Sequence, residues 1–142
     1  MRSVLYTLQR LKDQEKKQRQ RELAQAQRDL QEKQTLCDEM IREMYNERSK
    51  MPTTAGEMRE HDRMLVHQYY ALCRSEEDLQ VQAENVQVCQ EALLFARQQS
   101  KINEKLVESM ERELAKERKH KETQQADELG VMGWWRNQGL LD

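Results

Sequence analysis

The chain has 142 residues, 35% of them charged and 37% apolar, with a formal net charge of −2 and a mean hydropathy of −1.10. That is too little apolar material for a compact globule, whereas Glu, Lys, Arg, Gln, Leu and Ala with helical periodicity are the composition of coiled coils and long helices. The near-neutral charge also excludes a strong overall field toward nucleic acid or anionic lipid. No apolar run approaches the roughly 18 residues a membrane span needs, and Gln9, Arg10 and Lys12 interrupt any secretory h-region. The three Cys, Cys37, Cys73 and Cys89, are odd in number and lack metal-ligand spacing. A reducing, cytoplasmic compartment is therefore expected, with two of these Cys acting as small apolar residues on helix seams.

From the N-terminus, Val4, Leu5, Leu8 and Leu11 stand at helical spacing. Residues 12 to 22 then contain no apolar residue. A seam resumes with Leu23, Ala26, Leu30, Cys37, Met40 and Met44, with Lys33 interrupting it. Helix 1 is expected from about Ser3 to about Lys50, roughly 70 Å long. Met51-Pro52-Thr53-Thr54-Ala55-Gly56-Glu57 then stops one helix and starts another. Pro52 disfavours helical geometry at Met51 and lacks a backbone donor. Thr54 followed by Glu57 reads as a capping box.

Helix 2 carries the strongest period. Met58, Leu65, Leu72, Leu79, Val86 and Leu93 recur every seventh residue, and after Ser100 the series continues with Val107 and Leu114. The companion positions His61, Gln68, Ser75, Gln82, Cys89, Ala96, Asn103 and Met110 are mostly small or polar, so the seam is soft. Residues 1–129 therefore read as an all-α fold, one long two-helix antiparallel coiled-coil hairpin with its turn at about 51–56 and helix 2 longer than helix 1. With the turn centred near Thr53, residue i should face about 106 − i, and helix 2 should overhang by about 20 residues. Both chain ends then lie at one end of the rod, with Lys116, Arg118, Lys119, His120 and Lys121 in the overhang. Gly130, Gly133 and Gly139 are expected to break the helix. Residues 130–142 then form a flexible C-terminal tail whose apolar Val131, Met132, Trp134, Trp135, Leu140 and Leu141 either stay unordered or fold onto a partner.

Chemistry finds no site. His61, His67 and His120 stand apart, no nucleophile–base arrangement accompanies them, and there is no Gly-rich phosphate loop. No enzyme activity, no metal and no cofactor are expected. The basic run Arg10, Lys12, Lys16, Lys17, Arg19 and Arg21 contains interspersed acids and no aromatic residue. It reads as a solvated face, or else as a contact for an acidic protein groove, in preference to nucleic acid. Ile41, Tyr45, Met64, Tyr69 and Tyr70 lie off both seams near the turn. They would leave an apolar, aromatic patch on the outside of the rod, open to another chain, unless a wider seam, a third helix or a homodimer covers it.

The opening Leu5-x-x-Leu8-x-x-Leu11-Lys12-x-x-Glu15, the run Glu22-Leu23-Ala24-x-Ala26, the turn Thr54-Ala55-Gly56 and the stretch Glu117-Arg118-Lys119-x-Lys121-Glu122 with Asp127-Glu128-Leu129 together resemble the FliJ family of flagellar export proteins. The likeness covers nearly the whole chain and extends to the related stalk protein of injectisomes. It implies a cytoplasmic stalk of the type III export apparatus, at the cytoplasmic face of the inner membrane. Its terminal end would enter a hexameric export ATPase and promote ring assembly, and its tip would meet the cytoplasmic domain of the membrane export gate. By position, Gln34, Tyr45 and Leu72 match the family's gate-binding face and Ile41 is a conservative match, with Tyr69 beside them. Asp38, Gln68, Ser75 and Leu79 depart from the pattern. The ring-facing residues implied are Leu5, Leu8, Leu11, Lys16, Lys17, Arg118 and Lys119. Escort of export chaperones is a further role the family suggests. From another class, a structural homodimeric coiled-coil adaptor would use the same seam, and a nucleic-acid binder would show affinity falling steeply with salt.

Overall fold

The computed structural model describes residues 2–139. Two helices account for nearly all of them, α1 (Arg2–Arg48) and α2 (Ala55–Asn137), and no strand occurs among the described residues. The expected stop and restart fall where Pro52 and the capping pair put them. Thr54 Oγ1 accepts the Glu57 backbone N–H at 3.1 Å. The Glu57 carboxylate reaches back one residue further than a standard box, accepting from Thr53 N–H at 3.0 Å and Thr53 Oγ1 at 2.9 Å. Those bonds, led by the Thr53 amide, hold the Glu57 carboxyl below its ordinary value of 4.5.

Packing divides the chain into two units, each a stretch of α1 against a stretch of α2. In the unit Gln14–Arg97 the helices run antiparallel. Glu47 faces His61, Cys37 faces Ser75 with Sγ and Oγ 3.0 Å apart, and Gln82 Nε2 donates to the Ala26 carbonyl at 3.1 Å. The buried residues here are Ala26, Cys37, Ser75, Val86, Leu93 and Ala96, all small or at seam positions of the two helices. Cys37 and Cys89 lie at seam positions as expected, and all three Cys are free.

The second unit joins the chain up to Asp13 to the chain from Gln98 onward, and a polar cluster fills its seam. Ser100 Oγ donates to Asp13 Oδ1 at 2.9 Å, Gln9 Nε2 donates to the same oxygen at 3.1 Å, and Asn103 Nδ2 donates to Gln9 Oε1 at 2.8 Å and to the Leu5 carbonyl at 3.5 Å. Ser100 and Asn103 are only 4% and 3% exposed. The break in the apolar series at Ser100 is thus a hydrogen-bonded layer. Beyond Leu114 every described residue is exposed except the half-buried Gly133.

Three expectations need correction. The partners in α2 lie beyond 106 − i, by two residues where Glu47 meets His61 and Ala26 meets Gln82, and by six and seven where Cys37 meets Ser75 and Asp13 meets Ser100. Side chains lean toward the N-terminus of their own helix, and in an antiparallel pair those leans point oppositely, which pushes contacting positions to higher numbers. Second, Lys12, Lys16 and Arg19 are half-buried and sit three and four residues apart, in step with Leu23, Ala26 and Leu30. Their aliphatic stems take seam positions while the charged heads reach water, so this stretch is not a wholly solvated face. Third, Gly130 and Gly133 stay within α2. A helical Gly costs only about 1 kcal/mol, and the helix ends where Gly139 adopts a φ of +70° and donates to the Arg136 carbonyl. Leu140 and Leu141 lie outside the described residues.

Thr54→Ala should lower stability by about 1 kcal/mol in urea denaturation, through loss of the cap. Because the Glu57 carboxyl is depressed, its stabilisation is present above pH about 4.5 and fades as pH falls through its folded value. The gap in urea midpoint between the unaltered chain and Glu57→Gln should therefore shrink on acidification. A gap that grew would contradict the capping geometry. Asn103→Ala should cost about 1–2 kcal/mol by the same measurement, leaving Gln9 Oε1 without its donor.

Candidate partner-binding surfaces

Within the unit Gln14–Arg97, the helices next to the turn hold their apolar residues on two sides. Seam residues Met40, Met44, Leu65 and Leu72 are half-buried, whereas Ile41, Tyr45, Met64, Tyr69 and Tyr70 are exposed, Tyr45 to 74%. Ile41 and Tyr45 are one turn apart and so share a face of α1. On α2 the rings of Tyr69 and Tyr70 meet edge to face, with centroids 5.9 Å apart. The neighbouring Cys73 side chain pushes the Tyr69 phenol above its ordinary value of 10.0, and Glu76 and Tyr70 add to this. Gln34 is exposed and its amide donates to Asp38 at 3.1 Å. It lines a shallow groove with Leu30, Glu76 and Leu79. Of the five residues implied for the gate face, Leu72 alone takes a seam position, and the other four are exposed.

An open cleft beside the turn is lined by Glu47, Met51, Pro52, Glu57, His61, Met64 and His67. Glu47 accepts from Lys50 at 3.0 Å and lies 3.4 Å from His61 Nδ1. The Lys50 ammonium, more than His61, holds the Glu47 carboxyl below its usual range.

The residues implied for the ring divide between the units. Leu5, Leu8 and Leu11 belong to the unit that contains Arg118 and Lys119, while Lys16 and Lys17 belong to Gln14–Arg97. Leu5 is half-buried under Asn103, and Leu8, Leu11, Arg118 and Lys119 are exposed. Lys17 is exposed and Lys16 is half-buried on the seam side. Tyr6, which the sequence did not single out, donates its hydroxyl to Glu111, and that carboxylate pushes the phenol above its ordinary value. A second row went unread as well. Val81, Val88 and Phe95 are exposed and repeat every seven residues, two positions after the seam residues Leu79, Val86 and Leu93.

Among the described residues no cluster of three or more His, Cys, Asp or Glu could hold a metal ion, and no helix is long and apolar enough to cross a membrane. The two long helices, with apolar residues exposed away from their seam, define a coiled-coil hairpin. The family model described as flagellar FliJ protein matches residues 1–139, and the chain belongs to that family. Membership makes it a component of the flagellar export apparatus, a family without enzymatic activity. No curated protein and no solved structure matches the chain.

Because their side chains face water, Ile41→Ser, Tyr45→Ser and Tyr69→Ser should each change stability by no more than about 0.5 kcal/mol. Leu72→Ala should cost about 2 kcal/mol in the same urea series. A large loss from the exposed three would place them in a core.

Proposed function

We propose that this chain is the cytoplasmic stalk of the flagellar export apparatus. It engages the hexameric export ATPase through Leu5, Leu8, Leu11, Arg118 and Lys119, with Lys16 and Lys17 contributing, and promotes assembly of the ring. It meets the cytoplasmic domain of the export gate through Gln34, Ile41, Tyr45, Tyr69 and Leu72, and through these two partners it couples ATPase to gate. It reaches the cytoplasmic face of the inner membrane only through its partners, and export chaperones are further candidates for its surface.

The observation that carries this reading is the exposure of Ile41, Tyr45 and Tyr69 in a member of a flagellar export family. Aromatic and aliphatic side chains that intrachain packing does not use are the usual anchors of a protein contact. The uncovered helix beyond Leu114 supports the ring contact, since it presents Lys116, Arg118, Lys119 and Lys121 without a neighbouring helix to shield them.

Mixing the chain with the export ATPase of the same organism, while following particle size by light scattering and ATP turnover, tests the ring contact. Hexamer formation with raised turnover is expected, and an inert mixture would defeat the stalk reading. Ile41→Ala with Tyr45→Ala should weaken binding of the gate's cytoplasmic domain at least about tenfold, with helicity at 222 nm unchanged. Retained affinity would remove the tip from the gate contact, and self-association through the seam would favour a homodimeric adaptor.

A further inference from the structure

The exposed row Val81, Val88, Phe95 is 64%, 61% and 60% accessible, although it lies on the same stretch of α2 whose Leu79, Val86 and Leu93 pack against α1. Seven residues advance an α-helix by about 10.5 Å and nearly two full turns. The three side chains therefore form a straight apolar line on a face that α1 leaves uncovered. Four residues before each of them stands a carboxylate, Glu77, Glu84 and Glu91. An (i, i+4) spacing places each acid directly beside its apolar neighbour, so an acidic line runs along the apolar one. Asp78 adds a charge on the other flank, followed at the same spacing by Asn85 and Ala92.

The cation of α2 nearest these acids in sequence is Arg74, three residues before Glu77 and four before Asp78. From Ser75 to Ala96 there is no Lys or Arg at all, and among the described residues none of these acids is in an ion pair. The one polar contact along the line is a long one, from Gln80 Nε2 to Glu84 at 3.5 Å.

We infer that this face of α2 is a docking surface for an amphipathic helix of a partner protein whose apolar side is edged by Lys and Arg. The seven-residue period selects a helix as occupant, since a partner with apolar residues at the same spacing covers the row along its length. The uncompensated carboxylates select its charge. A neutral or acidic helix would face like charges or strip water from the acids without return, whereas a basic-edged one pairs with them.

The test uses the full chain and two labelled designed helices of about four heptads. Both carry Leu at the apolar positions, one edged by Lys and the other by Glu, and binding is read by fluorescence anisotropy. The Lys-edged helix should bind at least about tenfold more tightly than the Glu-edged one, and less tightly as salt rises from about 50 to about 300 mM. The triple variant Val81→Ser, Val88→Ser, Phe95→Ser should lose about tenfold or more of that affinity while keeping its ellipticity at 222 nm. Val66→Ser, at an exposed position of the same helix, should bind as the unaltered chain does. Glu84→Gln with Glu91→Gln, which leaves the apolar row intact, should weaken the Lys-edged helix several-fold. Equal affinity for the two helices, or undiminished binding by the triple variant, would overturn the inference. So would sedimentation showing that the chain self-associates and that the triple variant is monomeric, because the face would then belong to a second copy.

Discussion

A seam shared by two helices is narrow, and the layer formed by Gln9, Asp13, Ser100 and Asn103 is what keeps it in one register where it occurs. Apolar pairs tolerate sliding by a turn, since one Leu against another differs little from its neighbour. A half-buried carboxylate and amide, bonded to a buried hydroxyl and a buried amide, do not. Shift the helices and Asp13 loses the Ser100 hydroxyl, keeping only Gln9 of its own helix, while the buried Asn103 amide loses both the Gln9 side chain and the Leu5 carbonyl and is desolvated without a partner. Such layers give up stability relative to a fully apolar seam and gain uniqueness of pairing. Asn103 Oδ1 makes no hydrogen bond to another described residue.

The same narrowness explains how the chain comes to display so much. Only small or centrally placed residues such as Ala26, Cys37, Val86, Leu93 and Ala96 fall below a tenth exposed. Most side chains off the seam face water. In a globule, Ile41, Tyr45, Tyr69 or Phe95 would be covered. Here they remain exposed, because a pair of helices has no further layer to cover them. Membership of a flagellar export family gives that surface its setting.

How much of this was legible in the sequence depended on whether a feature was local or relational. The seven-residue series from Met58 to Leu114, the Pro52 stop and the Thr54–Glu57 cap are local, and helices α1 and α2 run where they predict. The off-seam exposure of Tyr45 and Tyr69 also followed, because the angular position of a residue on a helix is fixed once the seam is known. The role of Lys12, Lys16 and Arg19 did not follow, since a charged residue at a seam position looks like an interruption until its stem is seen against the opposite helix. Gly130 and Gly133 misled for a similar reason. Glycine lowers helix propensity without forbidding the helix, and only the positive φ at Gly139 ends it. The acidic-edged row at Val81, Val88 and Phe95 was present in the sequence all along, at the period already found for the seam but read from another starting residue.

The long uncovered end of α2 has a consequence for how this molecule reports on itself. Trp134 and Trp135 are the only two tryptophans of the chain, and both stand on that uncovered end, exposed and about 20 residues beyond the last seam position, on the order of 30 Å of helix. Intrinsic tryptophan emission is therefore blind to the seam and to the turn. It follows the fraying of a solitary helical end, which opens at little cost in free energy. Far-ultraviolet dichroism, averaged over all the peptide groups, follows the paired helices instead. Two standard optical probes thus look at different parts of one molecule, and their unfolding curves have no reason to coincide even where each paired unit melts in a single step.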